Sequence, residues 1–192
     1  MMRKIFSFAG ITVFLLFSIP SFAQAEYAPF EIFGGYNLVR AAVDGSLCPF
    51  DGTCKPGPIM GNMHGWNMAL AGNINSMLGI KGEISGAYKS LGSATRSSYT
   101  FMIGPQINGR FESFPGTLFG HALFGVNRSG ISVDDWNYSE NFFEIALGGG
   151  IDWGKGRVSI RAPQIDYFPR HRDSIPHNNF RISTGIVFHF GK

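Results

Sequence analysis

The closing stretch from Asn179 to Phe190, N-F-R-I-S-T-G-I-V-F-H-F, constrains this chain more than any other. Phe180, Ile182, Thr184, Ile186, Phe188 and Phe190 take every second position. Arg181, Ser183, Gly185, Val187 and His189 stand between them. A strand sends alternate side chains to opposite faces. One face here is greasy and aromatic; the other is polar or small, apart from Val187. That division suits a strand with hydrocarbon on one side and a polar interior on the other. Such a strand closes a barrel by pairing with the first strand. The rest of the chain must then supply matching strands and an export signal.

The export signal is read at the other end. Arg3 and Lys4 form a positive start, Ile5 to Ile19 is mostly apolar, and Pro20 and Ser21 break the run. Ala23-Gln24-Ala25 is a small-x-small cleavage site, so residues 1-25 read as a cleaved secretory signal peptide. The apolar run is shorter than the ~20 residues of a membrane helix. The mature domain is expected to be 26-192. Cleavage removes Arg3 and Lys4, so the formal charge falls from +3 to +1. That balance gives no electrostatic support for nucleic-acid binding.

Two cysteines are present, Cys48 and Cys54, in C-P-F-D-G-T-C. Export makes a disulfide between them permissible. A metal pair is the competing reading, but no further Cys or His stands at ligand spacing nearby. No cofactor is expected.

Eight alternating segments follow in order: Phe30 to Arg40, His64 to Ile74, Ile80 to Lys89, Tyr99 to Phe111, Leu118 to Arg128, Asn141 to Trp153, a seventh from Arg157, and the closing strand. The third is the plainest. Ile80, Gly82, Ile84, Gly86 and Tyr88 oppose Lys81, Glu83, Ser85, Ala87 and Lys89. Charges are costly on a lipid face, so the charged set points inward. Pro105 has no N–H and should sit at a bulge or an unpaired position. In the seventh segment Arg161, Gln164 and Asp166 share the interior only if Pro163 marks a bulge. Loops alternate long and short, the long ones being Ala41 to Met63, Leu91 to Ser97, Ser129 to Glu140 and Pro169 to His177. The expected fold is all-β: an eight-stranded antiparallel up-and-down transmembrane β-barrel in the outer membrane, preceded by the cleaved signal peptide.

Several stretches resemble a known family. They are E-I-F-G-G-Y-N-L, G-W-N-M-A-L-A-G-N, Y-T-F-M-I-G-P, H-A-L-F-G-V, A-L-G-G-G-I-D and F-R-I-S-T-G-I-V-F-H-F-G. Together they resemble the small OmpA/OmpX-type, porin-like barrel proteins of the bacterial outer membrane. Ser183, Gly185, Phe188 and Phe190 also resemble the C-terminal signal read by the barrel assembly machinery, although Gly191 and Lys192 follow the aromatic end. The resemblance implies outer-membrane lipids, lipopolysaccharide and that machinery as partners, and a monomer. No peptidoglycan-binding domain is read after the barrel.

The inward charges are Glu31, Lys81, Glu83, Arg110, Glu144, Asp152, Arg161, Asp166 and Arg181, with His121 and His189. Both signs are present, and an eight-stranded barrel is filled by its own side chains. The expected role is therefore structural or surface-directed, with a plugged lumen. A narrow ion or water pathway is the alternative, favoured by the space that inward Gly148 and Gly150 leave. A third reading is a lipid A-modifying barrel, with His64 and Ser97, Ser98 or Ser129 as base and nucleophile. No sequence spacing brings those residues together, and the chain is not expected to be an enzyme. Arg170, His171, Arg172 and His177 are read as a solvated loop or as a contact for lipopolysaccharide phosphates. A soluble lipocalin-type barrel would need an apolar lumen, which the alternating charges oppose.

Overall fold

The structure, a computed structural model, describes residues 27–47, 55–91, 94–111, 113–133, 136–172 and 175–191. The leader with Ala23 and Ala25, and the pair Cys48 and Cys54, lie outside the described residues. Eight strands follow one another: β1 (Phe30–Leu47), β2 (Lys55–Asn73), β3 (Leu78–Leu91), β4 (Ala94–Arg110), β5 (Gly116–Val133), β6 (Trp136–Trp153), β7 (Val158–Arg172) and β8 (Ile175–Phe190). Each pairs antiparallel with the next, and β8 closes on β1. The described residues contain no helix.

Closure follows from the alternation. On β8, Phe180, Ile182, Ile186, Phe188 and Phe190 are exposed, while Arg181, Ser183 and Val187 are buried. Most large apolar residues on the other strands also face out, with Ile103 62% and Phe143 67% exposed, while Phe33, Phe119 and Phe168 are buried inside. A wall this apolar, carried right round the ring, is stable with hydrocarbon against it. Backbone groups facing hydrocarbon need partners, which a closed ring supplies. A lipocalin-like interior is set aside, because the buried side chains are largely charged or carboxamide groups.

The ring is sheared. Registered neighbours lead from Phe30 through Gly72, Ile80 and Pro105. The register on either side places Pro105 opposite Ala122, and the path continues through Leu147, Tyr167 and Phe180 to Arg40. It returns to β1 ten residues beyond Phe30, so each strand tilts and the row climbs as it circles.

Two irregularities sit at prolines. The pairing of β4 with β5 is interrupted at Gly104 and Pro105, with no change of register beyond them. Between β7 and β8 the register shifts between Arg161 and Gln164, around Pro163, whose peptide bond is cis. That shift is the bulge expected there, and it keeps Arg161, Gln164 and Asp166 all buried.

The loop boundaries need correction. Stretches read as long loops are largely strand, because each outer connection is a two-stranded ribbon paired nearly to its tip. β5 and β6 stay in register to Val133 and Trp136, and β7 and β8 to Arg172 and Ile175. On the β5–β6 ribbon Ile131, Ser132, Asn137, Tyr138 and Ser139 are all exposed, whichever way they point, so alternation there carries no two-sided hydrophobic signal. Pairs between β2 and β3 start only at His64 and Tyr88, and pairs between β6 and β7 end at Leu147 and Tyr167. The sheet β3–β6 therefore continues past the closed part of the ring with its two sides unpaired to β2 and β7.

Candidate functional site

Among the described residues the interior gathers most of the chemistry, because alternation delivers every second side chain to it. Glu31, Lys81, Glu83, Glu144, Asp152, Asp166, Arg161 and Arg181 are buried, and Arg110 is half-buried. They form three levels.

At the lower level Glu31 is the hub. Its Oε1 accepts from Asn73 Nδ2 at 2.9 Å and from Arg110 Nη2 at 3.3 Å, and lies 3.6 Å from His189 Nδ1. Asn108 donates to Asn73 at 2.9 Å, and Gln106 to Asn108 at 2.9 Å. Arg110 also donates to the Ser76 carbonyl. His189 Nε2 meets Ser159 Oγ at 2.7 Å. Beside this group Arg161 forks onto Asp152, Nε to Oδ1 at 2.7 Å and Nη2 to Oδ2 at 2.8 Å. The Arg161 guanidinium lies 4.6 Å from the Phe33 ring centroid and 4.1 Å from that of Phe119. Planar guanidinium and aromatic faces attract in this arrangement.

The middle level spans the lumen. Lys81 Nζ lies 2.9 Å from Glu83 Oε2, both on β3. Opposite, on β7 and β8, Arg181 donates to Asp166 Oδ2 from Nε at 2.8 Å and from Nη2 at 2.6 Å. The same guanidinium pairs with Glu83 and donates to Ser85 Oγ at 3.0 Å. In a ring of eight, β3 and β7 stand opposite, so these pairs cross the barrel. Gln164 joins them, donating to Asp166 Oδ2 at 2.8 Å. His121 Nε2 lies 2.8 Å from Asp166 Oδ1, and its Nδ1 lies 3.5 Å from Lys81 Nζ. An ammonium only donates, so Nδ1 accepts and Nε2 carries the proton toward Asp166.

The upper level is looser. Asn127 Nδ2 donates to Glu144 Oε2 at 3.1 Å and to Thr100 Oγ1 at 2.9 Å. A cavity of about 40 Å3 lies here, lined in part by Ser98, Asn127, Ser129, Glu144 and Arg181. Buried Asn37 Oδ1, Asn67 Oδ1 and Gln106 Oε1 have no protein partner.

The inward glycines fill a different role from the one read in the sequence. A Cβ at Gly148 would overlap Asp166 Oδ1, and one at Gly150 would lie 2.9 Å from Phe119 Cζ. That space is taken by those side chains and by the Ile165 and Pro163 carbonyls of β7, and no channel follows from it. Phe119, Leu123 and Phe168 were not singled out in the sequence. Phe168 packs with Met102, Leu123 and Ala146 in a small apolar cluster. The signal was available: Phe119 and Leu123 share parity with His121.

The other candidates separate. Ser98 and Ser129 face the cavity, and Ser98 bonds Asn127. His64 faces out, its Nδ1 hydrogen-bonded with the Tyr36 hydroxyl. Ser97 pairs with Tyr88, which pairs with His64, so β3 lies between the two. Of the assembly residues, Ser183 is buried and Phe188 and Phe190 face out. Gly185 stands opposite Gly35 at the closing seam. The side chains of Arg170, His171, Arg172 and His177 lie outside the described residues. Among the described residues no group of three or more His, Cys, Asp or Glu is arranged to hold a metal ion.

Solved structures share this architecture. Neisserial surface protein A is 11% identical with a TM-score of 0.65, the match covering 86% of this chain and 100% of that one. OprG from Pseudomonas aeruginosa is 14% identical with a TM-score of 0.59, over 89% and 100%. Ail, the attachment invasion locus protein of Yersinia pestis, is 17% identical with a TM-score of 0.54, over 85% and 100%. No family model matches the chain, and no curated protein matches it. At these identities the likeness is one of fold: this chain folds as a small eight-stranded barrel of the outer-membrane type.

Proposed function

From the fold of a small outer-membrane barrel, we propose that this chain resides in the bacterial outer membrane, closed to solutes, and acts through its outer surface. The observation that carries the closed reading is the middle level of the lumen. Arg181 holds Asp166 beside it and Glu83 across the barrel, all three at most 1% exposed at the side chain. Solvated ions passing there would have to part charges that water does not reach, and unpaired buried charges are costly. The outer surface is supported by the β3–β6 sheet, which stands past the ring with unpaired sides. Strand sides of this kind accept a further strand from a partner. Ail has been solved in complex with the heparin analogue sucrose octasulfate. The last hairpin, with Arg170 and Arg172, suits lipopolysaccharide phosphates, which Arg binds by its fork. A cleaved leader over residues 1–25 fits this placement.

A narrow pathway is the second reading, favoured by the upper cavity and the three unpartnered carboxamide oxygens. The membrane placement is tested by fractionation. The chain is expected in the outer membrane, released only by detergent, and to migrate differently on gels before and after heating. Recovery of the mature chain in the soluble periplasm would contradict it.

A further inference from the structure

The outward side chains of β1 to β5 do not form an even wall. A groove of about 670 Å3 crosses them, its sides built by Leu70, Ile84, Phe101, Ile103, Phe124 and Val126. Its cause is Gly82, which faces outward in register between Leu70 and Ile103. A Cβ there would meet nothing nearer than the Leu70 carbonyl oxygen at 4.0 Å, so the notch is open. The groove lies within the apolar band and climbs with the row toward its upper edge.

The upper end changes character. Two residues beyond Phe101 on β4 is Tyr99, and two beyond Val126 on β5 is Arg128; the two are register partners. Arg128 is exposed and spends Nη2 on Ser139 Oγ at 3.1 Å. Tyr88 donates its hydroxyl to Tyr99 Oη at 2.9 Å, which leaves the Tyr99 O–H to donate elsewhere. A long apolar groove thus ends on one cation and one hydroxyl donor.

We infer that this face holds one phosphate-bearing membrane lipid, with an acyl chain in the Gly82 groove and its phosphate on Arg128 and Tyr99. The shape matches an amphipath with a single anionic head. Arg presents a fork that fits phosphate oxygens, and such bonds are stronger than neutral ones. A second copy is a poorer occupant. Two copies meeting by this face about a two-fold axis along the membrane normal would bring their Arg128 side chains to the same height on facing walls. The inference rests on the membrane placement above.

The test is native mass spectrometry of the refolded barrel with phosphatidic acid, and with diacylglycerol carrying the same chains. The wild type is expected to retain one phosphatidic acid under conditions that strip diacylglycerol. Arg128→Gln should lower that retention about tenfold, the scale of one charge-assisted contact. Gly82→Leu should lower it as well, with the cation intact. Glycerol phosphate, which has no chains, should not compete. Equal retention of the two lipids, wild-type retention by either variant, or a dimer lost on Gly82→Leu would each overturn the inference. Heat-modifiable migration is checked on both variants, Arg128 being exposed and Gly82 an outward, half-buried site. Its absence in the wild type would sink the membrane placement, whereas a folded barrel without lipid preference sinks only this inference.

Discussion

Arg181→Met is expected to destabilise the barrel by about 3–5 kcal/mol, measured by urea unfolding of protein refolded into vesicles. The side chain is replaced by an apolar one, so the loss comes from what it leaves behind. Asp166 loses two donors, at 2.8 and 2.6 Å, and Glu83 loses its partner across the lumen. Neither carboxylate has water to turn to, since their side chains are 0% and 1% exposed. Removing one member of a buried pair costs more than removing both, because the remaining charge is uncompensated. Arg181→Met with Asp166→Asn should therefore recover part of the loss. His121 and Gln164 retain bonds to the new carboxamide only in part, so recovery stops short of wild type. Equal stability of Arg181→Met and wild type would show that this guanidinium does not hold the interior together.

Gly185→Val is expected to do comparable damage at the seam. Gly185 and Gly35 face each other where the last strand meets the first. A Cβ at Gly185 would overlap the Gly34 carbonyl and the Gly35 Cα, both backbone. Flexible side chains can swing aside, but a strand cannot, so β1 and β8 must part. The expected cost is about 3 kcal/mol or more, at the upper end of overpacking. The readout is the fraction reaching the heat-modifiable form on refolding. Gly34→Val is the control: it faces outward, and its Cβ would meet nothing within 4 Å. A seam variant that refolds as fully as this control would show that the strands have room to spare.

The facing of the strands was legible because the alternation carries two signals at once. On β3, Lys81 and Glu83 fall between Ile80, Gly82 and Ile84, and a charge admits only one side of a lipid wall. The bulge was legible from arithmetic: Arg161, Gln164 and Asp166 cannot share a face without an extra residue, and Pro163 stands where it is needed. The outer ribbons were not legible. Their sequences carry no clear apolar alternation, and Pro56 and Pro58 read as loop. They lie on β2, beyond its pairing with β3, where the side turned away from β1 needs no partner. The partners within the lumen were also hidden. Sequence placed Glu83 and Arg181 on the same side of the wall. Only closure brings β3 opposite β7 and β8, and two residues 98 apart into one ion pair. Phe119 and Phe168 inside show the limit of a rule that sends aromatics outward: a charged interior this narrow uses ring faces to cover Arg161 and Arg181.

The central claim, a lumen shut by its own side chains, is tested most directly by single-channel recording of the purified barrel in a planar bilayer. The account predicts no stable conductance steps for the wild type, and none that depend on salt type. It is contradicted by reproducible steps whose size or ion preference changes when Glu83→Gln or Arg110→Gln neutralises one charge of the lumen.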